Sequence, residues 1–141
     1  MAGERLCQAV AVFPATEKQS TVMIHLLRTK AAMLMLSIVS YNSHGLGPGK
    51  LDYIRSLCAS HHLVLVQEHW QFSENLSTFQ NHIPDISCHG SSAMESGHIL
   101  HGRPHGGCAI LWLSTMKCDV SPIETHNKRT CAVKTSPEYA Y

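Results

Sequence analysis

Two short apolar runs that flank an amphipathic segment constrain the fold of this chain more than any other feature. The first run, Leu34–Tyr41, reads LMLSIVSY, and the second, Leu63–Gln67, reads LVLVQ. Between them, Lys50–Ser60 places its apolar residues at a helical spacing. A strand, a helix and a second strand in this order predict two parallel strands joined by a crossover helix.

A polar residue follows each of the two predicted strands. Asn42 comes directly after the first strand, and Glu68 comes directly after the second. The carboxyl ends of parallel strands meet at one edge of the sheet, and α/β proteins bind ligands beyond that edge. The pattern therefore predicts that Asn42 and Glu68 lie side by side at a binding site.

The other predicted elements are shorter. Leu76–His82 has the pattern of a short helix, and residues 87–105 are rich in Gly, Ser and His, which is typical of a loop or hairpin. Three β-type segments then follow in succession: 107–113, 117–123 and 130–134. Successive short strands favour an antiparallel section after the parallel pair.

The start of the chain differs from the rest in its pattern of apolar and polar residues. Residues 1–33 show no clear hydrophobic period and contain Pro14 within a polar stretch. We therefore predict a loosely structured N-terminal extension over 1–33 and one domain over 34–141, in keeping with a total length of 141 residues.

Composition narrows the class of protein. A formal net charge of +1 does not indicate a nucleic-acid surface, although a local basic patch is compatible with it. None of the six cysteines form a CxxC pair, which argues against a zinc ribbon. No stretch has the features of a signal peptide or a membrane span. The sequence predicts an intracellular chain that is not secreted, is not embedded in a membrane and has no deducible obligate protein partner.

Three segments together resemble a known family. They read LSIVSYNSHGL at Leu36–Leu46, LVLVQEHW at Leu63–Trp70 and GRPHGGCAILW at Gly102–Trp112. The first two resemble the opening of the endonuclease/exonuclease/phosphatase family. The third is similar to the endonuclease domain encoded by non-LTR (LINE-type) retrotransposons. The resemblance covers residues 34–134, most of the chain.

The resemblance implies a fold and a chemistry. The implied fold is α/β, a two-sheet αββα sandwich of the DNase I-like type, here in incomplete form. The implied cofactor is Mg²⁺ or Mn²⁺, the implied substrate is DNA in the nucleus, and the implied reaction is attack of water on a phosphodiester. Asn42 matches the family's catalytic asparagine, and Glu68 matches its metal-binding glutamate. Arg103, Gly106 and Gly107 match the retrotransposon-type hairpin, which we interpret as structural.

Other parts of the family pattern have no counterpart here. The Asp-x-Asn pair and the closing Ser-Asp-His segment are not found in register. We therefore expect the N-terminal half of such a domain, with weak activity or none, so that its being an enzyme is left open. The alternatives are a non-catalytic retroelement remnant, a module that binds nucleic acid or protein without cutting, and a phosphatase of the same superfamily.

Several residues near these segments have two readings. His69 follows Glu68 and either contacts a substrate phosphate or faces water from a loop. Trp70 is either a core or rim aromatic or a base-stacking platform, and Lys50 lies on a solvated helix face or contacts phosphate. His101 and His105 have a zinc-binding spacing for a helix, but the Gly and Pro residues around them disfavour a helix. Lys128 and Arg129 form a basic pair too small for a footprint on DNA.

Overall fold

A computed structural model of the chain describes residues 7–12, 21–25, 36–94, 97 and 102–137. In chain order, the elements within these ranges are β1 (Cys7–Val12), β2 (Thr21–His25), β3 (Ile38–Asn42), α1 (Lys50–Ser60), β4 (Leu63–Gln67), a single 3-10 turn (Ser73–Asn75), α2 (Thr78–His82), β5 (Ile86–Ser91), β6 (Cys108–Leu113), β7 (Cys118–Ile123) and β8 (Thr130–Pro137). The described strands form two four-stranded sheets.

The first sheet has the strand order β3-β4-β6-β5 and contains the predicted crossover unit. Strands β3 and β4 run parallel, with Ile38 paired to Leu63 at one end and Asn42 paired to Gln67 at the other. Strand β6 runs antiparallel to both β4 and β5. The prediction of a parallel pair joined by α1 is confirmed. Of the three segments predicted to form an antiparallel section after it, the last two, β7 and β8, pair antiparallel with each other, whereas the first, β6, lies in the other sheet between β4 and β5.

The second sheet has the order β2-β1-β8-β7 and is antiparallel throughout. Two of its strands, β1 and β2, lie within residues 1–33, for which the sequence predicts loose structure. Strand β1 pairs with β8, far along the chain, from Cys7–Thr135 to Val12–Thr130, and β2 pairs with β1. The position of the domain boundary stays a prediction.

The first sheet is covered on both faces, which explains why β4 is apolar along its whole length. Alternate residues of a strand point to opposite faces. Val64 and Val66 pack toward the helices in a cluster with Ile54 of α1 and Phe79 of α2. On the other face, β4 and β6 pack against Cys131 and Val133 of the second sheet.

The architecture is therefore α/β, with two packed sheets and a helix layer on the first of them. This confirms the coarser part of the predicted fold, whereas the DNase I-like assignment and the second helix layer stay predictions. Among the described residues, no helix combines the length and the apolar character that a bilayer crossing requires.

The packing of α1 can be tested by truncating its buried residue Ile54, which is 0% exposed. We expect Ile54→Ala to lower the free energy of unfolding by about 2–5 kcal/mol, because the cavity removes contacts with the first sheet. The matched control is Ala59→Ser, at an exposed position of the same helix, which should cost less than about 0.7 kcal/mol. Urea unfolding followed by circular dichroism measures both. Equal effects would contradict the described packing.

Candidate functional site

The carboxyl ends of β3 and β4 are joined by backbone hydrogen bonds. The Ser43 amide donates to the Gln67 carbonyl at 2.9 Å, and the Gly45 amide donates to the Glu68 carbonyl at 2.7 Å. The Ser43 hydroxyl donates to the same two carbonyls, at 3.0 and 3.1 Å. The loop after β3 is thus bound to the end of β4, so Asn42 and Glu68 meet at one edge as predicted.

The Glu68 carboxylate is held in one orientation. Its Oε2 accepts from the Gly106 amide at 2.9 Å and from the Trp70 indole Nε1 at 3.0 Å. Its Oε1 has no hydrogen-bond partner among the described residues, and none of their buried side-chain oxygens lacks a partner. The result is a carboxylate with one oxygen fixed by two donors and a second oxygen that no described residue engages.

The side-chain amide of Asn42 is also bonded through only one of its two polar atoms. Its Oδ1 accepts a hydrogen bond from the His44 amide at 3.2 Å, which closes an Asx turn. The residue is exposed, and no described residue is bonded to its Nδ2 amide. The turn and the site readings of Asn42 are therefore compatible, because the oxygen forms the turn and the nitrogen remains free to donate to a phosphoryl oxygen.

His69 lies in the interior, with 0% of its surface exposed. Its Nδ1 accepts from the Gln71 amide at 3.0 Å, which leaves Nε2 to donate to the Ser91 carbonyl at 3.1 Å. Burial lowers the pKa of the ring below its ordinary value of 6.5, so the neutral form is favoured. The water-facing position expected for His69 is wrong, and neither ring nitrogen is open to a substrate phosphate.

Two glycines make room for the aromatic rings beside Glu68. A Cβ atom on Gly107 would lie 2.3 Å from Cε1 of His69, and one on Gly45 would lie 2.6 Å from Cε3 of Trp70. Both glycines also have positive φ angles, +89° and +85°. Gly107 of the GRPHGG segment therefore has a packing role, which agrees with its interpretation as structural.

The structure also gives the positions of the other candidate site residues, Trp70, Lys50 and His105. Trp70 is partly buried against Gly45, and its N–H is bonded to Glu68, which makes it a rim residue that orients the carboxylate. The Lys50 ammonium donates to the Ser43 carbonyl, so it braces the loop after β3. His105 is exposed beside Arg103, and its predicted zinc partner, His101, lies outside the described residues.

The donor set at this edge fits magnesium better than zinc. Within the described ranges, no group of three or more His, Cys, Asp or Glu residues could hold a metal ion. Magnesium needs fewer protein ligands, because it keeps several waters and uses one or two carboxylates. Glu68 supplies one such carboxylate, with Asn42 beside it to donate to a phosphate.

An acid–base pair is not part of this cluster. In the described part of the chain, the one contact between a histidine and an aspartate joins His82 to Asp52 at 3.2 Å, on the helices and shared with Arg55. Both side chains of that pair are exposed. Sequence reasoning did not identify Trp70 and the Gly106 amide as the groups that hold Glu68. The available signal was the double glycine next to a strand, which is typical of close backbone approach.

Comparisons with known proteins do not extend this description. No family model matches the chain, and no curated protein or solved structure gives a significant match.

Because a Cβ atom on Gly107 would overlap the His69 ring, we expect Gly107→Ala to lower the free energy of unfolding by a large amount. A side chain at positive φ costs about 1–2 kcal/mol, and the overlap with the imidazole adds about 1–3 kcal/mol more. Gly102→Ala is the matched control, because Gly102 has a φ of +101° but open space where a Cβ would lie. Thermal or urea unfolding of the two variants separates the cost of the positive φ angle from the cost of the overlap with the imidazole. Similar losses in both would show that His69 does not fill the space beneath Gly107.

Buried histidines also predict how stability changes with pH. Burial lowers the pKa of His69 and of His89 below 6.5. Below pH 6.5 the unfolded chain therefore binds protons that the folded chain does not, so these rings reduce the free energy of unfolding as pH falls and have no such effect above that value.

Urea unfolding in the presence of a chelator, at about pH 7.5 and about pH 5.5, measures this dependence in wild type and in His69→Gln. We expect the variant to lose less stability on acidification than wild type, because the contribution of His69 is removed while that of His89 remains. The opposite order would mean that His69 gains a proton in the folded state.

Proposed function

We propose that this chain is a metal-dependent phosphodiesterase of the endonuclease type, which nicks DNA at an Mg²⁺ site built on Glu68 and Asn42. The observation that carries the proposal is the fixed Glu68 carboxylate, whose second oxygen is bonded to no described residue, at the edge where β3 and β4 end. The proposal rests further on the three segments that resemble LINE-type retrotransposon endonucleases, since those segments include every residue that holds this carboxylate.

The contacts of Glu68 suit a magnesium ligand. Two N–H donors on Oε2 reduce the rotational freedom of the carboxylate, so the entropy lost when a cation binds is smaller. A bound Mg²⁺ would supply Lewis-acid stabilisation of the charge that develops on the leaving oxygen.

Asn42 is the proposed phosphate-positioning group. Its Oδ1 is fixed by the His44 amide, and its Nδ2 can donate to a non-bridging phosphoryl oxygen. Because Lys50 braces the loop that follows β3, the amide is held on a defined backbone and not on a free loop end. Such positioning lowers the entropy that a substrate loses at the transition state.

Hydrolysis also needs a group that activates water. His69 is unsuitable, because it is buried and both of its ring nitrogens are bonded within the protein. The described residues contain no histidine–carboxylate pair beside Glu68. Since acid–base catalysis contributes about 10²–10⁴-fold, we expect these residues to support weak nicking at most. The biological role that we propose for the site is nicking of target DNA for insertion of a retroelement.

The first test is Mg²⁺-dependent nicking of supercoiled plasmid by wild type and Glu68→Gln. We expect weak nicking that requires the metal and that falls at least about 10²-fold in the variant, since the site loses its anionic ligand. The matched control is Glu74→Gln, which removes a charge from an exposed position on the 3-10 turn. Equal nicking by both variants would attribute the cleavage to a contaminant or to another site.

Metal binding is measured separately by Mn²⁺ titration with electron paramagnetic resonance. Wild type should bind Mn²⁺, Glu68→Gln should not, and Trp70→Phe should bind with about 10- to 100-fold lower affinity, because it keeps the ring but removes the N–H that orients the carboxylate. Binding of Mn²⁺ without nicking would leave the non-catalytic binding module as the better description. No Mn²⁺ binding by folded wild type would refute the proposed site.

A further inference from the structure

A second concave site lies at the same edge of the sandwich as Glu68. It is a cleft of about 390 Å³ between the end of β5 and the turn that joins β7 to β8. Ligand pockets fall in the range of roughly 300–1,000 Å³. The residues that line the cleft include two histidines, one lysine and one glutamate: His89, His126, Lys128 and Glu124.

The walls of the cleft are fixed by hydrogen bonds. The Ser91 hydroxyl at the end of β5 donates to the Lys128 carbonyl at 2.6 Å, which ties the two sheets together there. Within the turn, the Thr125 hydroxyl donates to the Thr130 carbonyl at 2.6 Å, and the Arg129 amide donates to Asn127 Oδ1 at 2.9 Å. The cleft is therefore preformed on the described residues.

The position of the cleft follows from the strand register. Cys108 pairs with Gln67 on one side and with Ser91 on the other. Neighbouring strands lie about 4.8 Å apart, so Ser91 is about 10 Å along the sheet edge from the residue before Glu68. The two sites are also joined directly, because the Ser91 carbonyl accepts the hydrogen bond from His69.

We infer that this cleft binds a backbone phosphate of the DNA strand whose scissile phosphate lies at Glu68. The inference rests on the proposed function, since it places the cleft on the path of the substrate. DNA rises about 3.4 Å per nucleotide along its axis, but each strand also winds around that axis, so about 10 Å corresponds to a phosphate roughly one or two nucleotides from the nick. Lys128 and the two imidazoles supply donors to such a phosphate, and the Glu124 carboxylate opposes it.

A metal ion is a poorer occupant than a phosphate. Two imidazoles and a carboxylate are zinc-type ligands, but the described residues include no cluster whose geometry would hold a metal. The ammonium group of Lys128 in the lining also disfavours a cation. Both clefts at this edge include Lys128, since a smaller cleft of about 230 Å³ shares it together with Gly90 and Ser91.

The test is fluorescence anisotropy with a labelled DNA duplex, with a chelator present so that the metal site does not contribute. We expect Lys128→Gln to weaken binding about tenfold and to reduce the slope of log affinity against log salt by about one. Glu124→Gln should strengthen binding, because the opposing charge is removed. The matched control is Lys117→Gln, which removes a lysine from the exposed turn between β6 and β7, at the opposite end of the sandwich.

A duplex series in which single phosphates are replaced by neutral methylphosphonates locates the contact. The effect of Lys128→Gln should vanish when the phosphate about one or two nucleotides from the nick is neutral and persist for the other positions. The inference is overturned if Lys128→Gln and Lys117→Gln have equal effects, if Glu124→Gln weakens binding, or if wild type binds no DNA.

The Mn²⁺ titration distinguishes a failure of the proposed cleft from a failure of the proposed metal site at Glu68. Loss of Mn²⁺ binding in Glu68→Gln with unchanged binding in Lys128→Gln is the expected pattern. DNA binding that depends on Lys128 in a protein that binds no Mn²⁺ would refute the nuclease proposal and leave the cleft as a DNA-binding site.

Discussion

The arrangement of the site depends on how the end of β4 is locked against the start of β6. The Glu68 amide donates to the Gly107 carbonyl at 2.9 Å, and the Trp70 amide donates to the Gly106 carbonyl at 3.0 Å. Between these bonds, His69 inserts beneath Gly107, where no side chain would fit. Because interiors are close-packed, this contact determines where the chain can run on either side of it.

The lock involves backbone strain that its hydrogen bonds offset. Glu68 and Trp70 have positive φ angles of 54° and 56°, which cost of order 1–3 kcal/mol each. Two backbone hydrogen bonds return about 0.5–1.5 kcal/mol each, and the two donors to the Glu68 carboxylate add charge-assisted bonds. The alternation sends His69 inward while Glu68 and Trp70 bond to one another at the rim. Strain held by surrounding structure in this way is common at functional sites.

The elements that could be predicted from the sequence are those that depend on a local pattern of residues. The bounds of α1 at Lys50–Ser60 and of β4 at Leu63–Gln67 agree with the structure, because helical spacing and an unbroken apolar run are local signals. Strands β1 and β2 were not predicted, because β1 pairs with β8, more than a hundred positions away in sequence, and β2 pairs only with β1 among the described strands. Neither sequence reading of His69, at a substrate phosphate or in water, places it in the interior, since its burial depends on Gly107, a distant residue that local pattern does not connect to it.

The same lock connects the two sites at this edge. His69 bonds to Ser91 through Nε2, and Ser91 bonds through its hydroxyl to the turn that carries Lys128. A shift of the Ser91 backbone would therefore act on the ring beside Glu68 and on the wall of the cleft together. Since packed interiors transmit small displacements with little compression, the distance between the carboxylate and the cleft is set by the fold itself. For a DNA strand that contacts both sites, this fixed distance would determine how far the nick lies from the bound phosphate.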